Sequence, residues 1–186
     1  MAKKETSLHQ LMVEELQDLY DAEKQLTRAL PKVAKAVSDE ELRDAIREHL
    51  EVTKGHVQRL EQAFESLGMK AKSKPCAGMK GIVEESSETI QEKKGEKADG
   101  VLDVAIAGGA RRVEHYEIAG YSVAIEMARE LGHEAVAGML EETLQEEREA
   151  DEKLAEISKR ILTEAAAAEN PAPEEPETKP KTRAAR

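Results

Sequence analysis

Residues 101–131 read VLDVAIAGGARRVEHYEIAGYSVAIEMAREL. Val104, Ala105, Ile106, Gly109, Ala110, Val113, Ile118, Ala119, Val123 and Ala124 spread apolar side chains over most of the circumference of one helix. A helix that is apolar nearly all round belongs in the middle of a helical domain. Gly108-Gly109 within that run reads as close helix packing. Gly132 closes the segment, as glycine does past a helix end. A further helix follows, carrying Val136, Leu140, Leu144, Leu154, Ile157 and Ile161 on one stripe.

Upstream, Ser7 precedes a helical run through Leu8, Leu11, Met12, Leu16, Leu19, Leu26, Leu30 and Val33. Pro31 lies inside it and is expected to kink the helix or end it early, since it removes one hydrogen bond and crowds the preceding turn. Ser38-Asp39 offers an N-cap, with Glu40 and Glu41 favouring the positive helix start. The second helix runs through Leu42, Ile46, Leu50, Val57, Leu60 and Phe64 to Gly68. Met69 to Gly100 is then a long crossover with Pro75, Cys76, Gly78 and Gly81, and a short amphipathic stretch around Ile82, Val83 and Ile90. Two tight antiparallel pairs joined by such a crossover, itself carrying a short helix, predict an all-α, ferritin-like four-helix bundle over residues 1–167. Residues 168–186 hold four of the six prolines and no bulky apolar side chain, which predicts a disordered tail.

Composition excludes several classes. The chain has 186 residues, a formal charge of −11, one Cys, no Trp, three Tyr and one Phe. Acidic surface opposes non-specific nucleic-acid binding, which needs cations to displace counterions. One Cys forms no internal disulfide framework, and no apolar run is long enough to span a membrane. With no apolar stretch behind Met1-Ala2-Lys3-Lys4-Glu5, the N-terminus reads as no secretory leader, and the single Cys makes a reducing compartment the expectation. Scarce aromatics argue against a sheet core or a base-stacking site. Neither a phosphate-binding glycine loop nor a serine nucleophile elbow is present.

The informative residues are polar side chains on apolar stripes. At about 100° per residue, Glu23 lines up with Leu16, Leu19, Leu26 and Leu30, Glu15 is nearly as inward, and Asp18 sits at the edge. His49 and Thr53 share the line of Leu42, Ile46 and Leu60, with His56 slightly off it; Glu51 points outward. Glu117 lies between Val113 and Tyr121, with Glu114 one turn earlier. Glu147 lies on the stripe of Leu140, Leu144 and Leu154, with Asp151 one turn on. Glu23 and Thr53 are each about fifteen residues from the first joint, and Glu117 and Glu147 from the second, so all four lie roughly 22 Å along their helices. Carboxylates converging in an apolar core must protonate, pair with cations or bind metal. Arg111 and Arg112 are too few to neutralise the cluster. Carboxylates with imidazoles suit iron or manganese, and two ions bridged by carboxylate could bind dioxygen or peroxide or oxidise ferrous iron. Glu23, His49, His56, Glu114, Glu117, Glu147 and Asp151 are the candidate ligands. Taken singly, each also fits a hydrogen-bonded core side chain. His9 and His133 read as surface residues near helix ends, and His115 as support for a neighbour. The tyrosines read as core or hydrogen-bonding groups, and Cys76 as a buried thiol or, alternatively, a redox group.

The segments Asp18–Leu26 (DLYDAEKQL), His49–His56 (HLEVTKGH), Cys76–Gly81 (CAGMKG), Val113–Ala119 (VEHYEIA) and Glu142–Glu147 (ETLQEE) resemble the YciF/YciE family of ferritin-like bacterial stress proteins, in order and spacing from Leu8 to Ile161. The resemblance implies a rubrerythrin-like bundle, a homodimer, a cytoplasmic location, a di-metal site and a link to stress, with no established reaction. It implies that Glu114 and Glu117 are the Glu-x-x-Glu pair of the third long helix, Glu147 the fourth-helix ligand and Glu23 or Asp18 the first-helix ligand. Helix two departs from the ferritin-like pattern: Glu51 is followed by Lys54, and Val52 stands four before His56. Asp151 stands where a fourth-helix His would follow Glu147. The alternative expectation is a metal-free bundle dimer that acts through a protein partner. An amphipathic membrane binder is disfavoured, because the outer faces are mixed in charge and net acidic.

Overall fold

The computed structural model describes residues 7–92 and 100–170. Among them are five helices and no strands: α1 (Leu8–Ala36), α2 (Glu40–Ser66), α3 (Ala77–Glu92), α4 (Val101–Glu130) and α5 (Glu134–Glu169). The four long helices form the expected bundle of two antiparallel pairs, and α3 is the short helix of the crossover. Residues 168–170 fall at the end of α5, and the rest of the expected tail, 171–186, lies outside the described residues. No described helix is long and apolar enough to cross a membrane.

Local chemistry sets the ends of these helices. Ser7 accepts a hydrogen bond from the Gln10 amide, and Asp39 accepts one from Leu42, each satisfying an otherwise orphaned N–H at a helix start. Gly68 and Gly132 take φ of 70° and 75°, in the left-handed region. There Met69 N–H reaches back to Phe64 O and His133 N–H to Ala128 O, closing two Schellman turns. Pro31 does not end α1: the helix continues to Ala36, with Leu30 and Ala34 buried on either side of it. Burying that apolar stripe outweighs the single backbone bond that proline removes.

Packing completes what the caps begin. α4 contributes twelve buried residues, more than any other helix, as its nearly continuous apolar surface predicts. The buried Asp103 of α4 accepts the amides of Ser38 and Asp39 at 2.9 and 2.8 Å, pinning the first joint to the start of α4. The crossover is fastened to α1 by Lys74 N–H to Gln17 O, Cys76 N–H to Asp21 Oδ2 and Gln25 Nε2 to Cys76 O. α3 then covers one half of the α1–α4 groove, its Met79 fully buried. The contact is close at Gly78, where a Cβ would lie 2.5 Å from the Tyr116 ring.

Candidate metal centre

Four helices bring six of the seven candidate ligands together between two apolar clusters. α1 supplies Glu23, α2 supplies His49 and His56, α4 supplies Glu114 and Glu117, and α5 supplies Glu147. Glu23, His56, Glu117 and Glu147 have no exposed surface, and Glu114 has 2%. They form two groups. One ligand atom each from His49, Glu114, Glu117 and Glu147 lie within 4.8 Å of one another, and so do one each from Glu23, His56 and Glu147. Glu147 belongs to both groups. Donors at about 2.0–2.6 Å from one hard cation lie no more than ~5 Å apart, so either group can hold an ion.

The hydrogen bonding around these groups is incomplete. Eight buried side-chain atoms lack a hydrogen-bond partner among the described residues: Glu23 Oε2, His49 Nε2, His56 Nδ1, Glu114 Oε2, and both oxygens of Glu117 and of Glu147. All eight belong to the six residues of the two groups. No other buried side-chain nitrogen or oxygen among the described residues lacks a partner, as stability demands. His56 Nδ1 lies 3.2 Å from Glu23 Oε1 and 3.0 Å from Glu147 Oε1, but is not aligned to donate to either. His49 Nε2 lies 3.6 and 3.8 Å from Glu114 and Glu147, beyond hydrogen-bond reach. Unpartnered carboxylate oxygens and imidazole nitrogens facing one another fit hard divalent cations.

Burial and crowding displace the ionisation of the whole set. Burial, then the neighbouring Glu147 carboxylate, pushes Glu114 far above the usual carboxylate range. Burial, then Glu23 and Glu147, does the same to Glu117. Burial raises Glu23 despite His56 and Tyr121. Burial would depress His56, but Glu147 and Glu23 raise it to about 10. Against its own burial, Glu147 is held below its ordinary value by His56. Burial lowers His49. In the metal-free cluster the charged forms therefore gather on His56 and Glu147, while Glu23, Glu114 and Glu117 are displaced toward the protonated form.

Surrounding residues orient the ligands. Tyr121 donates to Glu23 Oε1 at 2.5 Å from within the core. Thr53, also buried, donates to the His49 carbonyl at 2.7 Å. His56 Nε2 lies 2.9 Å from Glu146 Oε2, which Arg59 also holds at 2.7 Å. Glu146 and Arg59 escaped the reading of the sequence, because both lie off the apolar stripes. The available signal was Arg59, one turn from His56 on the same face, opposite an acidic α5.

The structure does not bring Asp151 into either group. Its carboxylate receives Arg111 Nε at 2.7 Å and Nη2 at 3.2 Å, and His115 lies 3.4 Å away. It sits one turn beyond Glu147, toward the bundle surface, where the guanidinium of α4 reaches it. His115 is thus the supporting residue expected, and His9 and His133 stack edge-to-face with ring centroids 5.7 Å apart. Glu51 is exposed as expected. Cys76 is buried with its Sγ 2.9 Å from Tyr116 Oη, and Tyr116 donates to Asp18 at 2.9 Å. Asp18 thereby serves the crossover, and Glu23 is the α1 member of the cluster.

A family model described as a domain of unknown function (DUF892) matches residues 7–167. Over 153 residues the chain is 42% identical to Protein YciF of Escherichia coli (strain K12), spanning 82% of this chain and 90% of that protein. The chain belongs to the YciF family. The crystal structure of the E. coli stress protein YciF superposes with a TM-score of 0.80 at 39% identity, covering 86% of this chain and 99% of that one. YcfI from Rhodopseudomonas palustris gives 0.78 at 36% identity, covering 83% and 98%. A Xanthomonas campestris structure gives 0.68 at 26% identity, covering 87% and 97%. This YciF-family chain thus shares its bundle with relatives from three bacterial genera.

Proposed function

We propose that this protein is a ferritin-like, carboxylate-bridged di-metal protein that handles iron or peroxide under stress, with iron or manganese as its ions. The observation that carries the reading is the coincidence of the eight unpartnered buried atoms with the two ligand groups. A fold gains nothing from burying eight such atoms without partners, whereas two divalent cations would satisfy them together. His49, Glu114, Glu117 and Glu147 would hold one ion, and Glu23, His56 and Glu147 the other, with Glu147 as the bridge. When bound, such a pair supplies redox and Lewis-acid chemistry toward dioxygen species or peroxide. The chain's own groups bind and orient. Tyr121 holds Glu23, and Glu146 fixes the ring of His56, leaving Nδ1 turned to the cluster, as partners of metal-ligating groups do. The apolar clusters above and below exclude water.

The stress assignment follows the E. coli relative, described as a stress protein. A bacterial cytoplasmic homodimer completes the reading by the same likeness. The test is metal content per chain after expression with iron or manganese supplementation. The expected result is one to two ions, lost in Glu147→Ala. Less than about a tenth of an ion per chain in the wild type would overturn it and favour the metal-free bundle that acts through a protein partner.

A further inference from the structure

We infer that divalent cations reach the ligand cluster between α2 and α5, through an acidic mouth whose attraction is moderated by Lys153. The inference rests on the di-metal reading above and adds the way in. A cavity of about 200 Å³ opens between α2 and α5, and His49 and Glu114 form its floor. These two carry what little exposure the cluster has: the His49 side chain is 12% exposed and Glu114 2%. Glu114 Oε2 and His49 Nε2 are both without a hydrogen-bond partner. The larger cavity, about 270 Å³ between α1, α3 and α4, touches none of the six ligands. An ion in the α2–α5 cavity therefore lies against the two side chains whose unsatisfied atoms are buried within the cluster, and His49 is the first imidazole on its path.

The mouth has the charge for a cation. Glu48, Glu146, Glu149 and Lys153 line it. Glu146 is tied to Arg59 and His56, Lys153 pairs with Glu48 across the two helices, and Glu149 receives only the amide of Gln145. With Glu48 paired to Lys153 and Glu146 to Arg59, Glu149 is left as a carboxylate without a cationic partner among the described residues, and on a chain of charge −11 it draws positive ions toward a low-dielectric cleft. Lys153 opposes that field and spans the opening. Ala150 lines the same cavity with a small side chain.

The experiment measures the rate of Co²⁺ uptake by the full chain after chelator treatment, followed by visible absorbance in a stopped-flow instrument. Equilibrium stoichiometry is determined separately by dialysis. Lys153→Glu changes the mouth by two charges and is expected to speed uptake about three-fold at ~0.1 M salt. Ala150→Phe fills the cavity and is expected to slow uptake by about ten-fold or more, since a close-packed interior passes no ion. Both variants keep the wild-type stoichiometry. Lys153 is half-exposed, so Lys153→Glu tests the route even if Ala150→Phe misfolds. Unchanged rates at wild-type stoichiometry would overturn the route alone. No cobalt bound to the wild type at equilibrium would overturn the di-metal reading and the route with it.

Discussion

Replacing Glu117 by leucine should make the metal-free protein more stable while abolishing its response to metal. Glu117 is fully buried, and neither of its oxygens has a hydrogen-bond partner. Burial, then the carboxylates of Glu23, Glu147 and Glu114, pushes its ionisation well above the usual carboxylate range. Leucine has nearly the same volume and prefers the helix at least as well. Each unsatisfied buried polar group costs about 1–3 kcal/mol, and leucine removes that cost without opening a cavity. We therefore expect Glu117→Leu to raise the stability of the chelator-treated protein by about 2 kcal/mol, or roughly 4–8 °C in Tm for a chain of this size. Thermal unfolding by circular dichroism at pH 7, with and without added manganese, reads both effects. The wild type gains Tm with manganese because the ions bind only the folded state, and the variant gains none. A metal-free variant less stable than the wild type would show that Glu117 makes stabilising interactions with the fold. An undiminished manganese-induced rise would show that Glu117 is not a ligand.

Asp151→Asn separates the cluster from its neighbour: metal content should equal the wild type, with a stability loss of about 1 kcal/mol or less, since the Arg111 pair is partly exposed. Lost metal would return Asp151 to the ligand set. The metal-free protein should lose stability as pH rises from about 5 to 10, because Glu23, Glu114, Glu117 and His56 all have folded-state pKa values above their unfolded ones, so the folded state binds more protons there. His49, lowered by burial, works the other way through its ordinary pKa near 6.5, and Glu147 withdraws its share as pH falls below 4.5. Urea unfolding across that range checks the sign, and stability that climbs steadily to pH 10 would refute it. At the other end of the bundle, Asp103→Ala strips the acceptor from two amides and should cost about 3 kcal/mol in urea unfolding. A loss under ~0.5 kcal/mol would mean that water replaces the carboxylate. Gly78→Ala should cost about 1–3 kcal/mol through overpacking on Tyr116, and an unchanged Tm would show that the ring yields freely.

Helix number, order and ends were legible in the sequence because their causes are local. Apolar spacing, the Ser7 and Asp39 caps, and Gly68 and Gly132 act within one turn of chain. The inward carboxylates were legible for the same reason, since a Glu on a leucine stripe is a matter of angle on one helix. Proline at 31 misled in part, because the local penalty is fixed while the compensating burial comes from other helices. Tertiary structure alone decided how the candidate ligands divide. The rotation and axial register of packed helices place Glu147 in both groups, turn Asp151 to Arg111, and hand His56 to Glu146. A shift of one residue turns a side chain by about 100° and moves it 1.5 Å along the axis. The pattern on one helix therefore fixes which side chains point inward, and only the packing of four helices fixes which of them meet.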